Sequence, residues 1–476
     1  MNFRKLNSNN YDNIVLFGIL LFFLFVVRNF GFDGLYGQDA YEYLRYTRAL
    51  ITYLQTGAHP GDYFWPLYYP IIGALLGYIA GHETLILQLI SLLSIGVIAI
   101  YIKKIIDLVY PSKSYAVLYI LLFFVLAPYV LRIGLSIMSD TLSSCFIVVS
   151  YFYGIKYIKQ GLIKTLYLTA IFAVMAVMTR YGAGVVLLPL FILVIYQLFK
   201  DRSHLIHILP ILIITLTITI PHLIVRNNNT TAFLEHNLLI NWSFKNIFSS
   251  VFVISDGTLK YKFFNLIYSG FNIVHPIYLF CGFIFLFFTR RVDLINKWSL
   301  FFGIVILSYA FFLAGIPFQN KRFLLLSFPF VVLFFFPVFI RISSKEFVKK
   351  HQHIFLICIF LFQGIFITRA FIPLIERVDF EKEMILLMKP HQDNTLYSFD
   401  IDIALQGRGL NFEYKNMFLK QYFDFKSSDL VLFNPTAFEK QWKDKNPMIN
   451  WNYLQKHYKL KAIIEGPKGW KLYQIQ

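Results

Sequence analysis

The sequence predicts an all-α polytopic membrane protein that ends in a small α/β domain. Of its 476 residues, 57% are hydrophobic and 19% are aromatic, but only 15% are charged. Soluble domains usually carry about 25% charged residues, so this composition indicates a chain that faces lipid over much of its surface. Apolar runs such as 115–131 and 323–340 approach the roughly 20 residues that a transmembrane helix needs. Residues 373–476 instead alternate short apolar and polar segments.

The apolar runs predict about eleven transmembrane helices within a membrane domain of residues 1–372. The first run follows Arg4 and Lys5 and has no small-residue cleavage site, which indicates an uncleaved signal anchor. An odd number of spans places the two ends of the chain on opposite sides of the membrane. The predicted spans are 14–32, 84–102, 115–133, 140–157, 163–179, 182–199, 204–225, 271–289, 298–314, 323–341 and 354–372.

The distribution of basic residues predicts the orientation. Before Glu376 the chain has 29 Lys and Arg residues, and 17 of them lie in segments on the N-terminal side of the membrane. The short loops on the other side hold only Arg132, Arg180, Lys321 and Arg322. The positive-inside rule therefore predicts a multi-pass inner (plasma) membrane protein with a cytoplasmic N-terminus and an extracytoplasmic C-terminal domain. The net charge of +18 follows from this topology and does not indicate a nucleic-acid partner.

The topology leaves two large external loops, 33–83 and 226–270. The apolar segment 66–80 is shorter than the roughly 20 residues of a span, and counting it as one would move Lys103 and Lys104 to the outside. We therefore expect it to form a re-entrant or interfacial helix. Just before it, apolar residues at helical spacing from Ala40 to Leu54 predict an amphipathic helix on the outer membrane surface.

The segment 373–476 is predicted to fold as a small extracytoplasmic α/β domain. Short β-rich runs alternate there with helical patterns. The predicted strands are Thr395–Phe399, Leu430–Phe433, Lys461–Ile464 and Lys471–Ile475, and the predicted helices are Ala437–Lys443 and Asn452–His457.

The most unusual polar residues of the membrane domain are two carboxylates at the start of the first external loop. Asp39 and Glu42 are three positions apart, which places both on one face of a helix. A carboxylate beside a bilayer is costly and tends to have a chemical role, so Asp39 is a candidate general base. The alternative is that Asp39 only caps the helix, since Asp is a favoured N-cap residue.

Four short motifs resemble the integral-membrane GT-C glycosyltransferases, in particular the protein O-mannosyltransferases and the aminoarabinose and phosphodolichol-type sugar transferases. They are Gln38-Asp39-Ala40 with Glu42, Trp65-Pro66-Leu67-Tyr68, Thr179-Arg180-Tyr181-Gly182, and Arg322 before Pro329. The small C-terminal domain also fits the bacterial members. The chain departs from the O-mannosyltransferases, which tend to have adjacent Asp and Glu, and it has Trp-Pro-Leu where many relatives have Pro-Pro-Leu.

The resemblance implies transfer of a sugar from a polyprenyl-phosphate carrier to a lipid, glycan or protein acceptor on the extracytoplasmic face. It implies an inverting single displacement in which a base activates the acceptor and cations stabilise the leaving phosphate. The alternative is a transporter or lipid-sugar flippase without transferase activity. Transporters often place charges at mid-span and contain inverted repeats, whereas the charges of this chain lie mainly at span ends.

The resemblance also suggests roles for individual residues, each beside a simpler explanation. Asp39 would be the base, while Glu42 would bind the acceptor or orient Asp39, or only pair with Arg45 or Tyr46. Three cations would bind the donor phosphate or only extend to the interface: Arg180, Arg322 and Lys321. Sugar or acceptor contacts, or membrane anchoring, are expected for His59, Asp62, Tyr63, Trp65 and Tyr68. No cofactor is implied, and a divalent metal, though chemically compatible with the two carboxylates, is not expected.

Overall fold

The computed structural model describes residues 8–112, 114–226, 237–254 and 257–476. The basic residues Arg4, Lys5 and Lys113 and the stretch 227–236 of the second loop lie outside the described residues. The described part is mostly helical, with a two-stranded hairpin and one five-stranded sheet near the C-terminus.

The first half of the described chain contains ten α-helices of five or more residues. They are α1 (Ser8–Asn29), α2 (Gly37–Thr56), α3 (Tyr68–Ala80), α4 (Glu83–Val109), α5 (Ala116–Ile120), α6 (Pro128–Leu135), α7 (Ser139–Gln160), α8 (Ile163–Thr179), α9 (Ala183–Lys200) and α10 (Ile208–Arg226).

The second half begins with short elements and ends in long helices and a sheet. The helices are α11 (Asn237–Ile240), α12 (Phe244–Ile247), α13 (Asn265–Val274), α14 (Gly282–Phe288), α15 (Arg291–Leu294), α16 (Lys297–Gly315), α17 (Phe328–Ser343), α18 (Glu346–Lys350), α19 (Gln352–Met388), α20 (Ile401–Gly407), α21 (Pro435–Trp442) and α22 (Asn446–His457). The strands are β1 (Val251–Ile254), β2 (Gly257–Lys260), β3 (Thr395–Ser398), β4 (Glu413–Asn416), β5 (Leu430–Phe433), β6 (Leu460–Glu465) and β7 (Lys471–Ile475).

By length and composition, six described helices could cross a membrane, or seven if one bent pair counts as a span. Shorter apolar helices also occur, at residues 13–29, 68–80, 163–179 and 328–343. The predicted polytopic, mostly helical architecture is thus confirmed in its coarse form, and the count of eleven spans stays a prediction.

Two predicted spans are wrong as single straight helices. In the span 115–133, α5 continues as a π-helical turn, and the axis bends by 68° before α6 begins at Pro128. The predicted span 271–289 is divided between α13 and α14, with Pro276 in the break. Proline has no N–H group to donate, and its ring collides with the preceding helical turn. The helix is therefore interrupted at each proline, although the sequence stays apolar on both sides.

The predicted amphipathic helix of the first loop is confirmed as α2. Its buried positions include Ala40, Leu44 and Leu50, which recur at the predicted helical spacing. Helix α2 packs against α3 and α20. Protein therefore covers part of the helix surface that was expected to lie on the membrane. Gly57, in the left-handed conformation that glycine adopts without strain, ends the helix.

The C-terminal part is a five-stranded sheet in the order β4-β3-β5-β7-β6. Strands β3, β4 and β5 are parallel, and β7 pairs antiparallel with both β5 and β6. We call residues 395–475 the sheet region. The four predicted strands are observed, but the sequence missed β4, a polar edge strand. Helix α19 runs through Pro373, so the predicted domain boundary at residue 373 falls inside a continuous helix.

Candidate active site

A cavity of about 1530 Å³ lies beside the N-terminal end of α2. Small-molecule sites usually occupy about 300–1,000 Å³, so this cavity has room for more than one small substrate. Its walls come from the first loop, the α8–α9 junction, the segment before α17, the β1–β2 hairpin and the sheet region. Among the lining residues are Asp39, Tyr43, Trp65, Ser139, Arg180, Arg322, Phe323, Phe418 and Lys445.

Asp39 lies in the first turn of α2 and forms an ion pair with Arg322. Tyr36 is the N-cap residue of α2, and no side chain caps the helix. The alternative that Asp39 only caps the helix is therefore wrong. Arg322 comes from the 3-10 helix Lys321–Leu326, which connects α16 to α17. The fold therefore brings together two predicted residues from distant parts of the chain.

The Arg322 side chain is only 19% exposed. Its Nη2 pairs with Asp39, and its Nη1 donates to the sulfur of Met138 at 3.2 Å. Its Nε is buried without a hydrogen-bond partner among the described residues. Burial alone lowers the pKa of Arg322, but the nearby carboxylates of Asp39 and Asp140 outweigh it and raise that pKa above its usual value. The guanidinium therefore stays charged, and the described protein groups do not satisfy all of its donors.

Arg180, just after α8, forms the second charged pair of the cavity. Its Nη1 lies 3.0 Å from Oδ1 of Asp140, a fully buried residue in the first turn of α7. The ring of Phe323 lies 4.9 Å from the Arg180 guanidinium and 5.7 Å from that of Arg322. The two arginines thus meet at one ring, and each has a carboxylate partner. Arg132, another cation of the short loops, lies over the ring of Tyr36, 4.9 Å from its centroid.

Tyr43 lies one helical turn after Asp39, and its hydroxyl is 2.6 Å from Oγ of Ser139. Burial, together with the Asp39 carboxylate, raises the pKa of Tyr43 to about 12. The phenol is therefore protonated at neutral pH and can act as a hydrogen-bond donor in the cavity. Tyr43 falls among the apolar positions of the predicted amphipathic helix, and the sequence alone assigns it no role in the site. Its spacing of four residues from Asp39 was the signal that could have identified it.

Two of the residues predicted for catalysis and phosphate binding do not line the cavity. Glu42 accepts hydrogen bonds from Arg45, at 2.7 Å from its Nε, which corresponds to the simpler explanation for this residue. Lys321 adjoins Arg322, but its side chain is not among the lining groups. Burial and the neighbouring charge of Arg132 lower the pKa of Lys321.

Of the predicted sugar or acceptor contacts, only Trp65 lines the cavity. Tyr63 stacks on Tyr46 at 4.1 Å between ring centroids and meets the ring of Trp65 edge-on. The hydroxyl of Tyr68 donates to the carbonyl of Ile218. The remaining two residues make backbone-directed contacts: His59 lies 3.0 Å from the carbonyl of Val225, and the carbonyl of Asp62 accepts from Arg45. These four residues support the loop around the cavity.

The sheet region contributes to the cavity, and this contribution has no signal in the sequence. Phe418, which follows β4, and Lys445, which precedes α22, both line it. Neither belongs to a motif, and no local pattern predicts that the C-terminal part folds back onto the first loop. Among the described residues, no group of three or more His, Cys, Asp or Glu side chains could hold a metal ion.

The described part of the chain combines bent and straight apolar helices, a first loop with two helices beside a charged cavity, and a C-terminal sheet region. This arrangement is similar to the GT-C fold of solved ArnT structures, as the sequence resemblance predicted. Two such structures are of ArnT from Cupriavidus metallidurans. For ArnT bound to undecaprenyl phosphate the TM-score is 0.60 at 12% sequence identity, over 97% of both chains. For apo ArnT the TM-score is 0.55 at 11% identity, over 96% of this chain and 97% of that chain.

No protein-family model matches the chain, and a search of curated protein sequences gives no match. At the identities of the structural neighbours, the likeness concerns the fold. A function has to be argued from the site itself.

Proposed function

We propose that this protein is an inverting glycosyltransferase that moves a sugar from a polyprenyl-phosphate carrier to an acceptor. The single observation that carries the proposal is the Asp39–Arg322 pair in a large cavity, with Arg180 at the same ring of Phe323. A carboxylate beside two guanidinium groups supports the proposal, because the reaction requires a base for the acceptor and cations for the leaving phosphate. The solved neighbour ArnT binds undecaprenyl phosphate, a carrier of this chemical type.

In the proposed reaction, Asp39 accepts the proton of the acceptor hydroxyl as its oxygen attacks the anomeric carbon. The bond from that carbon to the phosphate oxygen breaks at the same time, and the carrier leaves as polyprenyl phosphate. Arg322 and Arg180 stabilise the charge that develops on the leaving phosphate. Because attack and departure occur on opposite faces of the sugar, the anomeric configuration inverts.

The proposed location is the inner membrane, with the cavity and the sheet region on the extracytoplasmic side and the N-terminus in the cytoplasm. This orientation rests on the distribution of basic residues in the short loops. The donor tail would remain in the bilayer while its phosphate reaches Arg322. The acceptor would be a lipid, a glycan or a protein. We propose no cofactor and no metal for this reaction.

The test is an assay on the purified full-length protein in lipid vesicles. A panel of polyprenyl-phosphate sugars, each radiolabelled in the sugar, is incubated with separate lipid, glycan and protein fractions of the cell envelope. We expect free polyprenyl phosphate to accumulate and the label to appear in one fraction. The Asp39→Asn variant serves as the matched control. A donor that crosses the vesicle membrane with its sugar still attached would instead indicate a lipid-sugar flippase and overturn the proposal.

A further inference from the structure

A second charged cluster lies away from the cavity, centred on Glu381 of α19. Glu381 is fully buried, and its two carboxylate oxygens are held by different groups. Oε1 accepts from Nε of Arg377 at 2.7 Å, and Oε2 accepts from Nε and Nη2 of Arg408 at 3.1 and 3.0 Å. The hydroxyl of Tyr41 also donates to Oε2. A buried carboxylate with several donors is fixed in place, because each lost contact would leave charge uncompensated.

This cluster joins three separate parts of the chain. Tyr41 belongs to α2, Glu381 to α19, and Arg408 follows α20 in the sheet region. Arg408 also donates from Nη1 to Asp33, at 2.7 Å, in the segment that leads into α2. The sheet region is thereby attached both to the first turns of α2 and to the chain just before them.

Tyr41 and Asp39 point to different sides of the same helix. Two positions along an α-helix correspond to a rotation of about 200°, so the carboxylate that lines the cavity and the phenol that meets Glu381 lie on opposite faces. Fixing the Tyr41 side of the first two turns also fixes the direction in which Asp39 projects. Burial raises the pKa of Tyr41 well above its usual value, with the Glu381 charge adding to the effect, so the phenol remains a donor.

The sheet region also packs directly onto this turn. Gly407, the last residue of α20, lies so close to the Tyr41 ring that a Cβ atom at position 407 would overlap it. The carbonyl of Gly407 accepts from Nη1 of Arg48, one of the arginines of α2, at 3.2 Å. Glycine at 407 therefore permits the close approach between α20 and α2.

We propose that Tyr41 is a positioning residue, and that the sheet region holds α2 through the Tyr41–Glu381–Arg408 contacts so that Asp39 keeps its place beside Arg322. The inference deepens the proposed function and rests on Asp39 acting as the base. It gives the sheet region a role in the reaction that does not require it to bind a substrate. Small displacements of a catalytic group reduce turnover strongly, whereas they affect binding of a distant tail little.

Two variants of the full-length protein test this role. Tyr41→Phe removes only the hydroxyl that Glu381 accepts, and Gly407→Ala displaces the Tyr41 ring from the sheet region. Tyr53→Phe, near the other end of α2, is the matched control. For each protein we would measure hydrogen–deuterium exchange of peptides from residues 37–46, and kcat and KM for the donor.

The expected result for both variants is faster exchange in the first turns of α2 and a kcat lowered by about tenfold to a hundredfold. The donor KM should stay within about twofold of the unaltered protein, because the phosphate-binding arginines are untouched. Unchanged hydrogen–deuterium exchange would overturn the proposal that these contacts hold α2, and so would an unchanged kcat. If the unaltered protein transfers no sugar, the proposed function fails by itself, and the exchange data still decide whether these contacts hold α2.

Discussion

Arg322 and Asp39 form an ion pair although 283 positions separate them in the chain. One residue is in the first turn of α2 and the other in the 3-10 helix before α17. Each side chain is only about one-fifth exposed, so dissolved salt screens the pair little, while both residues still line the cavity. An arginine with donors to spare can contact a carboxylate and a phosphate together. The pair therefore links the candidate base to the candidate phosphate site.

Replacing Asp39 by Asn should abolish sugar transfer, because an amide cannot accept the acceptor proton. We expect kcat to fall by about a hundredfold to ten-thousandfold, the range that general bases contribute. The measurement is the rate of polyprenyl phosphate release by the purified protein. Asp107→Asn is the control and should have normal activity, because Asp107 lies near the C-terminal end of α4 and does not line the cavity. Near-normal turnover in Asp39→Asn would remove Asp39 as the base.

Replacing Arg322 by Ala should raise the donor KM. A hydrogen bond to a charged group contributes about 1.5–3 kcal/mol, which corresponds to a KM increase of about tenfold to a hundredfold. Arg322→Lys keeps the charge without the planar fork of donors and should give an intermediate value. Arg369→Ala, an exposed position on α19, is the control. A donor KM that does not change in Arg322→Ala would contradict a role in phosphate binding.

The sequence predicted the parts of the site that carry a local signal. Asp39 is an acid beside a membrane span, and Arg180 and Arg322 are cations at span ends that belong to the motifs of the family resemblance. Glu42 has the same local signal, but its pairing with Arg45 depends on the direction in which it leaves the helix. Spacing along the sequence does not determine which of two nearby acids faces a cavity.

The contacts that the sequence missed are long-range. Phe418 and Lys445 line the cavity together with residues of the first loop, and the Glu381 cluster joins residues more than 300 positions apart. Similarly, β4 has few apolar residues because it is an edge strand with one paired side, and its strand character comes from pairing with β3. These features come from tertiary packing, which the pattern of a single sequence does not reveal.

The Asp140–Arg180 pair should contribute to stability. Because Asp140 is fully buried, Arg180→Met would leave its carboxylate without its ion-pair partner. We expect the free energy of unfolding to fall by about 3 kcal/mol, as for other buried pairs that lose one partner. Denaturant titration in detergent micelles would measure it. The double variant Asp140→Leu with Arg180→Met removes both charges and should recover most of the loss. A double variant no more stable than the single one would argue against this explanation.

The proposed topology predicts that the C-terminus is outside the cytoplasm. A reporter fused after Gln476 that is active only in the periplasm should give a signal, and one that fluoresces only in the cytoplasm should not. The same pair of reporters placed at the N-terminus should give the opposite pattern. A cytoplasmic signal at Gln476 would overturn the eleven-span prediction and the proposed side of the cavity.

The stability of the sheet region should depend on pH through Asp402. This residue of α20 is 5% exposed, and its Oδ2 accepts from Asn416 at 2.6 Å. Burial raises its pKa from 3.8 to about 6. Between these two values the folded state binds the proton and the unfolded state does not. The stabilisation from Asp402 is therefore complete below pH 3.8 and is lost as the pH rises through about 6.

Each pH unit between the two pKa values corresponds to about 1.4 kcal/mol, so the loss should amount to about 2 to 3 kcal/mol. The melting temperature of the full-length protein in detergent, followed by the near-ultraviolet signal of the tryptophans, would be compared with that of Asp402→Asn from pH 4.5 to 7.5. Because the amide cannot titrate, the difference should grow in favour of the variant as the pH rises. A difference that is constant across this range would show that Asp402 titrates alike in the folded and unfolded chains.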